Sequence, residues 1–164
     1  MKLTAFTDYS FRILIYLGLQ DKRLTTIQEI SDNYDISKNH LMKAVRHLGQ
    51  LGYLETVRGK NGGVRLAKPA REIRIGVIVR QVEENMAVME CLSPLYNQCR
   101  IDSACFLKDF FGEALEAFLS VLDSYTLEDV LKNRVSLSKI LRIAPSPVAE
   151  EKPCKNGEYS KGLY

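Results

Sequence analysis

Apolar residues in the first third of the chain recur at the spacing of an α-helix. Residues 6–19 carry such an apolar face, marked by Tyr9, Ile13, Tyr16 and Leu17. The run Thr26-Ile27-Gln28-Glu29 has the capping-box pattern, in which a threonine hydroxyl and a carboxylate three residues later satisfy each other's backbone N–H groups. The sequence therefore predicts one helix over residues 6–19 and a second, shorter helix that extends to about residue 33.

A third helix is predicted to begin after Ser37, a residue type that caps helix N-termini, and to end at Gly52. Its apolar stripe is formed by Leu41, Ala44, Val45, Leu48 and Leu51. Two short helices joined by a tight turn, with the second one basic, are typical of a helix-turn-helix, although a basic helix face is also an ordinary solvated surface. On this interpretation the DNA contacts of the helix are Ser37, Lys38, Asn39, His40 and Lys43.

Alternating residues predict two short strands, 53–58 and 63–66, joined by the turn Gly59-Lys60-Asn61-Gly62. The Asn-Gly pair of this turn tolerates positive φ, which favours a β-hairpin. A hairpin directly after a candidate recognition helix is a wing. Small residues and cations at its tip suit a phosphate backbone or a narrow minor groove. The expected contacts are Arg58, Lys60, Asn61 and Gly62.

The second half of the chain predicts a helix over residues 75–83, an irregular segment, a long helix over 104–122 and a short helix capped by Thr126. Apolar residues cover more than half of the circumference of the long helix, so both of its sides must be buried. Because few other elements are available, we expect the second side to pack against the same helix of a second chain.

These elements predict a mostly α protein with a two-stranded wing. Its expected parts are a winged helix-turn-helix domain (1–83), a cluster-binding loop (84–104), a dimerisation helix with a terminal helix (105–143) and a disordered tail (144–164). No apolar stretch is long enough to span a membrane, and the first residues lack the apolar core of a secretory signal. A cytoplasmic location is therefore expected.

Charge is distributed unevenly between the two halves. The net charge is +3, but residues 1–80 hold 14 Lys and Arg against 7 Asp and Glu, whereas the rest hold 9 against 13. A basic half joined to an acidic half indicates that the first half meets a polyanion, which together with the helix-turn-helix pattern points to double-stranded DNA.

Three of the four cysteines, Cys91, Cys99 and Cys105, follow the pattern Cys-x7-Cys-x5-Cys. Thiolates are soft ligands that suit an iron–sulfur cluster, zinc or copper(I). Zinc sites usually show paired Cys-x2-Cys spacing, and a redox disulfide would leave the third cysteine unexplained. A metal or cluster is the favoured interpretation, with a thiol switch and unliganded thiols as alternatives. Iron would then need a fourth ligand, such as a histidine, a carboxylate, water or a small thiol. Cys154 is expected to be a bystander.

The chain resembles the bacterial iron–sulfur winged-helix repressors, most closely the nitric-oxide-sensing NsrR group. The resemblance covers about residues 1–143 and is carried by residues 3–9, 57–66 and 73–75 together with the cysteine loop. It implies a homodimeric repressor that binds palindromic operator DNA and releases it when nitric oxide attacks the cluster. It also implies that the three cysteines are cluster ligands, with Asp8 of the partner subunit as the fourth. Arg12, one turn after Asp8, would hold that carboxylate, although an acidic residue also simply favours a helix N-terminus.

Two positions depart from the family pattern. Lys108 stands where the IscR members have a histidine, which argues against a 2Fe–2S site of that type and favours 4Fe–4S. The x7 spacing is longer than in NsrR and resembles that of the iron-responsive RirA proteins. An iron- or redox-responsive regulator of the same family, or a cofactor-free thiol switch, are therefore the alternatives. An enzyme is not expected, because the chain has no nucleotide-binding glycine loop and no Cys-x2-Cys on a βαβ pattern.

Overall fold

The computed structural model describes residues 2–93 and 96–143. The helices in these residues are α1 (Ala5–Leu19), α2 (Ile27–Tyr34), α3 (Lys38–Gln50), α4 (Ile75–Val82), α5 (Leu107–Asp123), α6 (Leu127–Val130) and α7 (Arg134–Ile140). Strands β1 (Leu54–Val57) and β2 (Gly63–Leu66) form an antiparallel hairpin. The predicted mostly α fold with a two-stranded wing is confirmed. None of the described helices is long and apolar enough to cross a membrane. The predicted disordered tail lies outside the described residues.

Helix α1 forms the centre of the core. It begins at Thr4, whose hydroxyl accepts a hydrogen bond from the Thr7 backbone N–H at 3.3 Å. Its most buried apolar residues, each at most 2% exposed, are Ile13, Leu14, Tyr16 and Leu17. Helices α3, α4 and α6 and strand β2 all contact it. Full burial of one such leucine or isoleucine stabilises the fold by about 1.5–3 kcal/mol, so α1 is the element that holds the others together.

The start of α2 differs from its prediction. The Thr26 hydroxyl accepts from the Glu29 backbone N–H at 3.1 Å, but the reciprocal half of the capping box is missing. The Glu29 carboxylate instead accepts from the Tyr16 hydroxyl at 3.1 Å and pairs with Arg23. This tertiary contact joins α2 to the central helix, and burial together with Glu29 raises the pKa of Tyr16.

Helix α3 ends at Gln50, and Gly52, predicted as its C-terminal cap, follows with a φ of +75°. The Gly52 N–H donates to the Gly49 carbonyl and the Tyr53 N–H to the Leu48 carbonyl, each at 3.0 Å. This pair of bonds is the Schellman motif, which satisfies carbonyls that a helix end would otherwise leave free. Ser37 occupies the predicted N-cap position, but its side chain makes no capping hydrogen bond.

The glycines of the wing turn have roles that differ from the predicted ones. Positive φ occurs at Gly59 (+114°) and not at the Asn-Gly pair. Gly62 is required for a different reason, because a Cβ there would lie 2.3 Å from the Val57 carbonyl oxygen. Close to the turn, strand β2 is anchored to the body of the domain by Thr25, whose backbone forms an antiparallel bridge with Val64.

Helix α5 begins three residues later than predicted. Residues Asp102–Ala104 form a 3-10 turn, and the extended backbone of Cys105 separates that turn from the helix. Leu119 is the only buried residue that α5 contributes among its described positions. Its large apolar side chains are mostly open to solvent, and the exposed set at its start and along its length is Phe106, Leu107, Phe110, Phe111 and Val121.

A substitution at Gly76 tests the packing of α4 against α5. A Cβ at this position would lie 2.1 Å from the Asp123 carboxylate and 2.9 Å from the Asp123 backbone nitrogen. We expect Gly76→Ala to lower the free energy of unfolding by about 1–3 kcal/mol, as overpacking does. Urea unfolding at fixed protein concentration measures this. The control is Gly49→Ala, where the nearest atom is 3.9 Å away and the gain in helix propensity should stabilise. Equal effects of the two variants would contradict the packing account.

Candidate functional site

Helix α3 turns one face to solvent and packs the other into the core. The buried face consists of Leu41, Ala44, Val45 and Leu48. The exposed face carries Lys38, Asn39, His40, Met42, Lys43, Arg46 and Gln50. Across the described ranges, none of the three cations Lys38, Lys43 and Arg46 is engaged in an ion pair. The predicted recognition helix therefore presents a continuous exposed face. Within the described residues, no carboxylate pairs with the positive charges on that face.

Two aromatic contacts join this helix to α1. The His40 ring stacks on Tyr9 with centroids 5.9 Å apart and an angle of 18° between the planes. The half-buried His47 ring meets Phe6 edge-on at 5.6 Å. The sequence did not predict these two contacts, because the partners in each lie more than 30 residues apart along the chain. These contacts make the position of the recognition helix depend on the first turns of α1.

The wing tip carries the other predicted DNA contacts. Arg58, Lys60 and Asn61 are exposed and Gly62 is half-buried. On the outer face of the hairpin, Arg65 pairs with Glu55 at 3.0 Å, a hydrogen bond that raises the pKa of Arg65. Arg58 and Lys60 have no such partner among the described residues. The free positive charge of the wing therefore lies at its tip and inner edge.

Asp8 is exposed on α1 between the two aromatic contacts. Its carboxylate pairs with the Arg12 guanidinium at 2.9 Å, so the predicted Asp8–Arg12 contact is present. Arg12 also lies 5.6 Å from the centroid of the Tyr34 ring, which connects the pair to α2. Burial is the main cause that raises the pKa of Tyr34 to about 12.

The three predicted cysteine ligands lie in the irregular backbone that precedes α5 along the chain. Cys91 lies in the 3-10 turn Glu90–Leu92, Cys99 precedes the turn Asp102–Ala104, and Cys105 follows it. All three are half-buried free thiols. Soft, partly accessible thiols in irregular backbone are the donors that an iron–sulfur cluster requires, so the donor chemistry fits.

The described residues of one chain do not bring the predicted ligands together. Among residues 2–93 and 96–143, no three His, Cys, Asp or Glu side chains come together as a metal-holding group. Lys108, which replaces the histidine of the IscR pattern, pairs with Asp102 at 2.9 Å. This contact raises the pKa of Lys108 and keeps it an ammonium, which has no lone pair to offer a metal.

Comparison with known proteins identifies the family to which the chain belongs. A family model described as an iron-dependent transcriptional regulator matches residues 3–133. The chain belongs to the Rrf2 family. It is 46% identical over 146 residues to the regulator NsrR of Halalkalibacterium halodurans, which covers 88% of this chain and 100% of that one. It is 48% identical over 143 residues to NsrR of Geobacillus kaustophilus, covering 87% and 97%.

Solved structures of Rrf2-type regulators share the fold. IscR from T. potens has a TM-score of 0.65 at 23% identity, covering 81% of this chain and 88% of that one. The oxidised form of CymR from Staphylococcus aureus has a TM-score of 0.64 at 26% identity, covering 80% and 97%. This Rrf2 chain is accordingly a DNA-binding transcriptional repressor and not an enzyme, as the sequence predicted.

A buried carboxylate links the beginning of the cysteine loop to α1. Glu83, at the end of α4, is 9% exposed and accepts hydrogen bonds from the Thr4 backbone N–H at 2.7 Å and from the Thr4 hydroxyl at 3.1 Å. Thr4 is the N-cap of the helix that carries Asp8. No sequence pattern pointed to Glu83, since Thr4 and Glu83 are 79 positions apart.

Removing this link should loosen the start of α1. We expect Glu83→Ala to lower the free energy of unfolding by about 1.5–3 kcal/mol, the usual worth of hydrogen bonds to a charged group. Glu83→Gln should lose less, because its amide oxygen still accepts. Urea unfolding measures the difference, and the exposed neighbour supplies the control, Glu84→Ala, for which we expect about 0.5 kcal/mol or less. The link would be refuted by equal losses at positions 83 and 84.

Proposed function

We propose that this Rrf2 protein is a homodimeric repressor of palindromic operators whose DNA affinity is set by an iron–sulfur cluster that reacts with nitric oxide. The observation that carries the proposal is that the helix bearing Asp8 packs directly against the recognition helix through Tyr9–His40 and Phe6–His47. The relatives named NsrR support the same conclusion. The protein would act in the cytoplasm, where thiols stay reduced.

The exposed surface of α3 and the wing would contact DNA. Helix α3 enters the major groove, and the residues that meet base edges or phosphates there are Ser37, Lys38, Asn39, His40 and Lys43. The wing lies along the adjacent minor groove and backbone, with contacts from Arg58, Lys60, Asn61 and Gly62. The support is their exposure and the absence of neutralising partners for their cations in the described part of the chain.

The exposed apolar face of α5 supports dimerisation. Phe106, Phe110 and Val121 are 75%, 64% and 59% exposed, and contiguous apolar surface of this kind marks an interaction site. Each large side chain buried there contributes about 1.5–3 kcal/mol, enough in sum for a stable pair of α5 helices. A two-fold dimer would place two copies of α3 in successive major grooves, about 34 Å apart.

The cluster ligands would come from both subunits. The thiolates of Cys91, Cys99 and Cys105 belong to one chain, and the fourth ligand is Asp8 of the partner subunit. When bound, the cluster supplies iron that nitric oxide can attack. A 4Fe–4S cluster is favoured over 2Fe–2S, because the Lys108 ammonium cannot take the place of a histidine ligand.

Asp8 is well placed to exchange partners. Its pair with Arg12 is half-exposed, and surface pairs of this kind contribute only about 0–1 kcal/mol. Little energy is therefore lost when the carboxylate leaves Arg12 for a partner loop. Fixing Asp8 there holds α1, and through Tyr9 and Phe6 it holds the recognition helix at the spacing of the operator. Release of Asp8 removes that constraint.

Cysteine variants test this proposal. Protein purified without oxygen should show the visible absorption of an iron–sulfur cluster and bind a selected operator duplex, and nitric oxide should weaken that binding by at least about tenfold, a coupling of 1.4 kcal/mol. Cys99→Ala should lose both the absorption and the response. The matched control is Cys154→Ala, outside the predicted ligand set, which should keep both.

Three results would count against the proposal. A Cys99→Ala protein that still responds to nitric oxide would exclude the cluster switch. Wild-type protein without iron–sulfur absorption, whose DNA binding changes with thiol oxidants, would indicate the cofactor-free thiol switch instead. Loss of the absorption on iron chelation alone, with no effect of nitric oxide on DNA binding, would indicate the iron-responsive alternative.

A further inference from the structure

The C-terminal end of α5 is joined closely to α4. Asp123, the last residue of α5, lies so near Gly76 of α4 that a Cβ on this glycine would come within 2.1 Å of the Asp123 carboxylate. The backbone extends this contact, because Thr126 and Arg74 form an antiparallel bridge between the residues that follow α5 and those that precede α4. The long helix is therefore connected here to the half of the chain that carries α3 and the wing.

Two arginines hold Asp123 from different points along α4. Arg74, which precedes the helix, donates from Nη1 to the Asp123 backbone carbonyl at 2.9 Å. Arg80, in the last turn of α4, donates from Nη1 to the Asp123 carboxylate at 2.7 Å. The two positions are about 9 Å apart along the helix axis, so the two contacts restrict the tilt of α5 as well as its position. Asp123, Gly76 and the two arginines together are called the Asp123 junction below.

Arg80 also fixes which face of α5 is turned toward α4. The hydrogen bond with Asp123 is the main cause that raises the pKa of Arg80, and the negative charge of Glu116 adds to it. Leu119, which is 4% exposed, lies between these two carboxylates along the helix. Because positions 116, 119 and 123 lie on one side of an α-helix, this side is the one that meets α4.

Exposed apolar side chains lie on the other side of α5. At about 100° per residue, Phe110 and Val121 are roughly 150–170° around the helix from the side that meets α4. In the proposed dimer, α5 therefore packs on its own DNA-binding half through one side and on the partner helix through the other. The angle between α5 and α4 then determines where each recognition helix lies relative to the two-fold axis.

The fit to an operator depends strongly on that angle. One base pair inserted between two half-sites moves one of them by about 3.4 Å along the duplex and by about 34–36° around it. We propose that the Asp123 junction sets the separation of half-sites that the dimer accepts, with Asp123 as the positioning residue held by Arg74 and Arg80. This inference rests on the proposed dimeric function and assigns to it the residues that select the operator spacing.

The spacing preference of the protein tests this assignment. A palindromic operator selected from random duplexes is rebuilt with one base pair added or removed between its half-sites, and the affinity for all three duplexes is measured. The wild type should bind the selected spacing at least about tenfold more tightly than either neighbour. Arg80→Gln and Asp123→Asn should each lower this ratio about three- to tenfold, since each subunit loses a half-exposed ion pair. A general loss of affinity from a removed charge cancels in the ratio.

Arg71→Gln is the matched control, since this exposed arginine lies just before α4 and pairs with its neighbour Glu72. It should keep the wild-type ratio. The double variant Arg80→Gln/Asp123→Asn should lose no more than the larger single loss, because both changes remove the same contact. Affinity for a duplex with one half-site should be equal in Arg80→Gln and Arg71→Gln, which damage to the DNA-binding half would not allow. Thermal unfolding midpoints check that the variants are folded, as expected for side chains that are 37% and 36% exposed.

The outcomes separate the junction from the proposed function. If the wild-type protein binds one half-site as tightly as two, it does not bind as a dimer and the proposed function fails. If it prefers one spacing and neither Arg80→Gln nor Asp123→Asn changes the ratio, dimeric operator binding stands and the role of the Asp123 junction is overturned. An equal change in Arg71→Gln would also overturn it, because the effect would then reflect the charge near α4 and not the contact with α5.

Discussion

The packing of α1 against α3 is the contact on which the rest of the structure depends. Helix α1 supplies the most buried residues of the core, and α3 keeps its position by laying Leu41, Ala44 and Leu48 against that core. The same two helices carry the proposed functional residues, Asp8 on α1 and the exposed cations on α3. Protein interiors are close-packed and transmit displacement, so a force on the first turns of α1 reaches the recognition helix through Phe6 and Tyr9.

The start of α1 is also where the segment that carries the cysteines is attached to the DNA-binding half of the chain. Glu83 holds the N-cap of α1 from the residue at which α4 ends and the cysteine loop begins. In the proposed dimer, Asp8 would add a second attachment from the partner subunit. The Glu83 carboxylate is buried and accepts two hydrogen bonds from Thr4, whereas the Asp8–Arg12 pair is weak and exposed. In the proposed dimer, Asp8 can therefore bind and leave the partner subunit while the Glu83–Thr4 link stays in place.

Periodicity predicted the helices well, because the burial of one helix face imposes the same period on sequence and structure. Gly52 was predicted for a similar reason, since a helix end needs the left-handed conformation that glycine adopts. The predictions fail where a contact with another part of the structure determines the role of a residue. Glu29 leaves its capping box for Tyr16, and Gly62 is needed because the Val57 carbonyl lies close. The cysteines were evident from spacing, but the described residues do not bring them together as a metal-holding group, and the proposed ligand from a second chain is not a property that one sequence can display.

The most direct test of the central claim asks whether the sensor is shared between subunits. Chains carrying Cys99→Ala are paired with chains carrying Asp8→Ala, and the cluster in the isolated mixed dimer is followed by its visible absorption during treatment with an iron chelator. In the shared arrangement, the intact cysteines of one chain meet the intact Asp8 of the other. The account predicts one cluster per mixed dimer that resists the chelator as well as the wild type does. A cluster that is as labile as that of the Asp8→Ala homodimer would contradict it.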